Sequence, residues 1–144
     1  ERGKIAPRLQ RAALAAKVTG GGRMIYFLKR LKYRIIWSWA GCVDAWKNEH
    51  SFRSWVWANA VSAALALWLP LGVAERALIL ALGVLVLAAE LFNTALERAV
   101  DYISEEEHPL AGRAKDAGSA GVAMAAIAAG MAWVVVLVGI WMAG

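Results

Sequence analysis

Apolar positions recur along this chain with a helical period and then merge into three long runs. From about Tyr26 to Asn48, Leu28, Leu31, Ile35, Trp39, Cys42 and Trp46 share one helical face, with Arg30, Arg34 and Asp44 roughly opposite. Lys32 and Trp37 interrupt the pattern. A basic, Trp-rich amphipathic helix of this kind predicts a segment lying in the plane of a membrane interface. After a polar hinge, Glu49 to Arg53, the stretch Ser54 to Val73 carries no charge and is long enough to cross a hydrocarbon core of about 30 Å. Trp55, Trp57 and Trp68 mark its ends as an aromatic belt would, and Pro70 and Gly72 close it. A second run, Ala77 to about Val100, is interrupted by Glu90 and Glu97. The short turn between these runs predicts an antiparallel hairpin. The third run, Ala117 to Gly144, is free of charge, and its Ala117, Gly121, Ala125 and Ala129 recur at a spacing that lets helices approach closely. The expected fold is all-α: an amphipathic surface helix over about 26–48 and three transmembrane helices over about 54–73, 77–100 and 117–143. These lie in one membrane domain, 24–144, behind a basic extension, 1–23, broken by Gly20-Gly21-Gly22 and without an assigned role.

Composition supports the membrane reading. A chain of 144 residues with 60% hydrophobic residues and a mean hydropathy of +0.51 is too apolar for an ordinary soluble domain, and it is short enough for one domain at most. Twelve of the sixteen Lys and Arg lie at or before Arg53, and Arg113 and Lys115 fall between the second and third runs. The positive-inside rule then puts the N-terminus and that linker in the cytoplasm and the C-terminus outside, as a multi-pass protein. No base-reading module accompanies the positive charge, so a nucleic-acid partner is not expected. Cys42 is alone and forms no intramolecular disulfide; with two distant histidines it makes a poor zinc set. The first 23 residues lack the continuous apolar core of a cleavable signal.

The chemistry is concentrated between Ala89 and Asp101. At about 100° per residue, Glu90, Asn93, Glu97 and Asp101 fall on one narrow helical face. A carboxylate well inside a membrane helix is costly and is normally paired, hydrated or functional. Two carboxylates seven residues apart, with an amide between them, suit a hard cation and leave an oxygen for proton transfer. No Walker A loop, Gly-x-Ser-x-Gly elbow or His-Glu-x-x-His pair occurs. What remains is a polar set at one membrane face: Glu97, Lys115, Asp116, Glu49 and Arg30. Carboxylates for Mg²⁺, cations for phosphates and a deeper carboxylate for a hydroxyl proton are the parts that phosphoryl transfer requires. Glu90 lies about 10 Å deeper than Glu97 along an ideal helix, a depth suited to a substrate arriving from the bilayer.

The run from Glu90 to Asp101, followed by His108-Pro-Leu-Ala-Gly-Arg-Ala-Lys-Asp-Ala-Gly-Ser-Ala120, resembles the signature of the bacterial integral-membrane diacylglycerol kinases. The upstream Trp46-Lys-Asn48-Glu49-x-x-Phe52-Arg53 is similar to that family as well, and the resemblance covers about Leu28 to Gly144. It implies a homotrimer in the bacterial inner membrane that transfers the γ-phosphoryl of MgATP to diacylglycerol, giving phosphatidic acid. It also implies roles: Glu90 as general base on the lipid hydroxyl, positioned with Asn93, and Glu49 and Glu97 as Mg²⁺ ligands. The nucleotide would be lined by Arg30, Trp37, Glu49, Glu97, Glu106, His108, Lys115 and Asp116. The lipid would meet Arg30, Trp39, Trp46, Phe52, Arg53, Glu90, Ser119 and Trp133. Two positions depart from the family pattern: no acid follows Phe52-Arg53 two residues on, and Trp37 stands where a Tyr hydroxyl is expected.

Two other functions fit the same residues. Undecaprenol kinase shares the fold and the Glu/Asn/Glu motif, although the Gly-Arg-Ala-Lys-Asp-x-Gly-Ser form favours diacylglycerol. A non-catalytic membrane scaffold would use the same acids only to specify helix packing.

Overall fold

A computed structural model describes the backbone of residues 20–103 and 106–143, so the N-terminal extension up to residue 19 lies outside the described residues. These residues form helices α1 (Gly20–Asn48), α2 (His50–Trp68), α3 (Val73–Ile103) and α4 (Pro109–Ala143), with no strand among them. The chain divides into two compact units, one ending at Asp44 and the other running from Ala45 to Gly144. That division falls within α1.

In the first unit, α1 starts six residues earlier than the periodicity indicated. Gly20-Gly21-Gly22 is helical instead of a break. Glycine is tolerated there because the N–H groups of a first helical turn have no intrahelical partner in any case. Leu28, Ile35 and Trp39, on the expected apolar face, are all exposed. Aromatic contacts stiffen the helix surface: Tyr33 stacks on Trp37 at 5.8 Å between ring centres, and the Arg30 guanidinium lies 5.7 Å from the Tyr26 ring.

In the second unit α2, α3 and α4 run up, down and up, with α3 packed against both neighbours. The expected polar hinge of five residues shrinks to one. Only Glu49 leaves the helical path (φ −111°, ψ 116°), and α2 resumes at His50. Nothing between His50 and Arg53 breaks a helix, and the Arg53 guanidinium donates to the Trp46 and Lys47 carbonyls at 3.0 and 3.1 Å, closing the end of α1.

The other end of α2 also moves. The helix stops at Trp68 instead of Val73, because Leu69 precedes Pro70 and is driven to extended geometry (φ −72°, ψ 152°). Its charge-free part therefore spans 54–68, about 22 Å of helix, which is shorter than a hydrocarbon core. Only α3 and α4, among the described residues, are both long and apolar enough to cross a membrane. Just 22% and 11% of their most apolar windows are buried within the chain, so most of that apolar surface must face lipid or another subunit.

The α2–α3 turn is a self-contained cap. Glu75, the third residue of α3, accepts from the Gly72 N–H at 2.7 Å, the reciprocal half of a capping box. Arg76 turns back and donates to the carbonyls of Ala66, Leu69 and Leu71 at 2.9, 3.5 and 3.2 Å, satisfying the orphan acceptors at the end of α2. Beneath the turn Ala66, Leu71, Ile79 and Val136 form the buried apolar cluster, flanked by Leu69, Trp133 and Ile140.

Against α3, the packing face of α4 departs from the expected small-residue stripe at its first two positions, while Ala125 and Ala129 are half-buried as that stripe predicts. Ala117 and Gly121 are exposed, while Gly118 and Val122 turn inward. Position 118 decides this. A Cβ on Gly118 would run into Asn93 Oδ1, whereas one on Gly112, Gly121 or Gly130 of the same helix would meet nothing within 4 Å. The helices meet where the one missing side chain makes room for a buried amide.

Removing the Arg76 cap is expected to loosen the hairpin. Arg76→Ala should lower stability by about 2 kcal/mol, read from denaturant unfolding in mixed micelles, since three carbonyls lose a charged donor. An unchanged unfolding midpoint would show that water replaces the guanidinium.

Candidate functional site

The site is best built from α3. In that otherwise apolar helix Glu90, Asn93 and Thr94 are buried, with relative exposures of 4%, 9% and 6%. With Glu97 they follow the i, i+3, i+4, i+7 spacing of one helical face. The Asn93 amide donates to Glu97 Oε1 at 2.9 Å, and its own Oδ1 is buried with no partner. The family resemblance implies that Asn93 helps position Glu90; the hydrogen bond its amide donates here runs to Glu97. A buried unpaired amide oxygen costs about 1–3 kcal/mol, so it is kept for a reason other than stability. Thr94 was missed by the sequence reading, although its place four residues after Glu90 would have revealed it.

Glu49 is brought to the same end of the unit. As the residue before α2 it makes no side-chain cap to its own helix. Instead its Oε1 accepts from Arg98 Nη2 at 2.7 Å. The pair ties the residue that precedes α2 to α3, one position after Glu97. Arg98 was not singled out from the sequence, because its partner lies 49 residues away.

A second cluster forms where α3 gives way to α4. Val100, Asp101, Glu106, Glu107, His108, Pro109, Ala111, Gly112 and Lys115 line an open cavity of about 550 Å³. Lys115 Nζ donates to Asp101 Oδ1 at 2.5 Å, with both side chains substantially solvated, so the pair adds little stability. His108 caps α4: its Nδ1 accepts from the Leu110 N–H at 3.2 Å, with Pro109 in the first helical position, where its missing donor does no harm. With Nδ1 so used, a neutral His108 keeps its Nε2 proton as an outward donor.

Of the sequence-predicted nucleotide residues, Glu106, His108 and Lys115 meet in this cavity, and Asp116 is exposed on α4. Arg30 and Trp37 belong to the first unit, held by the aromatic contacts along α1. The predicted lipid contacts disperse. Trp39 is exposed on α1, and Trp46 lies 6.3 Å from the Trp57 ring. Phe52 is buried at 5%, Arg53 caps α1, and Ser119 is exposed. Trp133 donates its indole N–H to Ser62 Oγ at 2.8 Å beside a smaller cavity shared by α2, α3 and α4.

The donor set suits Mg²⁺. Among the described residues no three His, Cys, Asp or Glu side chains gather as an all-protein cage. Mg²⁺ is usually held by one or two carboxylates together with substrate phosphates, and Glu49 and Glu97 supply that number of hard oxygen ligands.

The chain is similar to known proteins. A family profile described as prokaryotic diacylglycerol kinase matches residues 36–137. A relative from Escherichia coli named diacylglycerol kinase is 41% identical over 101 residues, covering 70% of this chain and 83% of its own. One of the same name from Pseudomonas aeruginosa is 39% identical over 112 residues, covering 78% and 91%. A third, from Haemophilus influenzae, is 36% identical over 117 residues, covering 81% and 93%.

The close approach at position 118 gives a direct test. Gly118→Ala should push α4 from α3 and destabilise the protein by about 1–3 kcal/mol, whereas Gly121→Ala, whose Cβ meets nothing within 4 Å, should stay within about 0.5 kcal/mol. Equal unfolding midpoints for the two variants would refute the packing register.

Proposed function

The chain belongs to the prokaryotic diacylglycerol kinase family, and from that membership we propose that it transfers the γ-phosphoryl of MgATP to the primary hydroxyl of 1,2-diacylglycerol, yielding phosphatidic acid. The observation that carries the reading is the buried polar face of α3, with Glu90 at its deep end and Glu97, tied to Asn93, at its shallow end.

Glu90 is the general base. Its burial at 4% exposure inside an apolar helix keeps bulk water from the carboxylate and favours an acceptor hydroxyl delivered by a lipid. Asn93 fixes the Glu97 carboxylate through its 2.9 Å hydrogen bond, so that Glu97 and Glu49 present oxygens to Mg²⁺. When bound, Mg²⁺ offsets the charge that develops on the transferring phosphoryl group. Lys115 exchanges Asp101 for phosphate oxygens, and His108 offers its Nε2–H in the same cavity. The acceptor proton passes to Glu90 as the oxygen forms its bond to phosphorus, and ADP leaves with the other phosphates.

The protein is a membrane protein, and its architecture is proposed to be three spans per subunit in the inner membrane with a cytoplasmic N-terminus. α2 completes the crossing over its full 19 residues, about 29 Å, with the first polar turn in the headgroup layer. Amphipathic α1 lies at the interface. A homotrimer buries the apolar flanks of α3 and α4 and completes each site with a neighbour's residues.

Purified protein in micelles, incubated with MgATP and one lipid at a time, tests the assignment. Phosphate should appear on diacylglycerol; transfer to undecaprenol alone, or to neither lipid, would contradict it. Glu90→Gln should lower kcat by at least about a hundredfold while the trimer persists, and near-normal turnover would remove Glu90 as base. Glu97→Gln should be partly restored by raised Mg²⁺; equal loss at every Mg²⁺ concentration would refute its role as ligand.

A further inference from the structure

The Glu49–Arg98 ion pair occupies one of the two carboxylates assigned above to Mg²⁺. We infer that Arg98 is a stand-in counterion for the divalent cation, holding Glu49 in place without nucleotide and passing to the nucleotide's phosphates when MgATP binds. The inference rests on the metal role proposed for Glu49.

Three observations support it. The contact is short, 2.7 Å from Arg98 Nη2 to Glu49 Oε1, and the Glu49 side chain is the better shielded partner, at 27% exposure against 47%. Glu49 is the junction residue between α1 and α2 and makes no cap bond with its side chain, so Arg98 directs that carboxylate toward α3. Arg98 is also the immediate neighbour of Glu97, whose own carboxylate is already oriented by Asn93. The structure thus holds both proposed ligands oriented, one by an amide and one by a cation.

A guanidinium on Oε1 draws on the same carboxylate charge that Mg²⁺ on either oxygen would use, so the two cations compete for Glu49. Once displaced, the guanidinium is still tethered to α3 one residue after Glu97. Its five-donor planar fork matches phosphate oxygens. The exchange moves no covalent bond. A positive charge at Glu49 is replaced by another, and the displaced one meets the negative charge that accompanies the metal. Arg98 then favours metal that arrives with nucleotide over metal alone.

The test uses the full chain in micelles with Mn²⁺ as probe, free Mn²⁺ being counted by electron paramagnetic resonance. Without nucleotide, Arg98→Gln should bind Mn²⁺ about two- to fivefold more tightly than the unmodified protein, the range expected for loss of a partly exposed ion pair. In turnover assays the same variant should raise KM for MgATP several-fold and leave KM for diacylglycerol unchanged. Arg98→Lys, which keeps the charge but loses the fork, should retain near-normal Mn²⁺ affinity while still raising KM for MgATP. Unchanged or weaker Mn²⁺ binding by Arg98→Gln overturns the stand-in role, and an unchanged KM for MgATP overturns the hand-over. Glu49→Gln separates this inference from its premise. If that variant binds Mn²⁺ as well as the unmodified chain does, Glu49 is no metal ligand, and the proposed metal site itself fails.

Discussion

Burying a carboxylate, an amide and a hydroxyl side by side in an apolar helix is the constraint on which the rest of this structure depends. Glu90, Asn93 and Thr94 have almost no access to solvent, and Asn93 Oδ1 has no hydrogen-bond partner. An unconstrained membrane helix would place leucine or alanine there, as α3 does on either side. Polar groups so placed disfavour any packing that leaves them against acyl chains. They fix which face of α3 looks inward, and α4 must accommodate that face. Gly118 is the accommodation, and it sets the register of the helix pair.

From that pairing the functional groups follow by short local devices. Asn93 holds Glu97, and Arg98, one residue on, holds Glu49 across from the start of α2. One turn further on, Asp101 meets Lys115 from the first turns of α4, which His108 and Pro109 initiate. Both carboxylates proposed as metal ligands, Glu97 and Glu49, are already held by a polar neighbour. The far end of the unit is unrelated in chemistry. There the Arg76 and Glu75 caps close the hairpin over an apolar cluster, so stability and reactivity occupy opposite ends of one short bundle.

Much of this was legible in the residues themselves. The all-helical character, the apolar runs of α3 and α4 and the polar face of α3 all follow from periodicity, because helical spacing alone brings those positions together. The family was legible too, in the long run from Glu90 to Ala120. The length of the first apolar run misled, since hydropathy does not register that Leu69 before Pro70 must leave the helix. The small-residue stripe of α4 misled only at Ala117 and Gly121, because alanine is abundant and only the Asn93 side chain picks out Gly118. Contacts distant in sequence were invisible: Arg98 and Glu49 are each ordinary until α2 folds back against α3. Local packing roles of the predicted lipid residues were not legible. Arg53 and Phe52 are engaged in capping and core packing, roles that a motif cannot distinguish from ligand contact.

The central claim is that Glu90 lies one layer beneath the metal-bearing carboxylates, about 10 Å along α3 from Glu97. The most direct measurement is the relaxation of a ¹³C-labelled Glu90 carboxyl carbon, recorded by NMR on the full chain with Mn²⁺ and a non-hydrolysable ATP analogue. The account predicts strong paramagnetic broadening of that resonance, absent when the analogue is supplied with Mg²⁺ and absent in Glu97→Gln at the same Mn²⁺ concentration. A Glu90 signal that stays sharp beside bound Mn²⁺–nucleotide would contradict the account, because the buried acid would then lie beyond reach of the phosphoryl group it is proposed to serve.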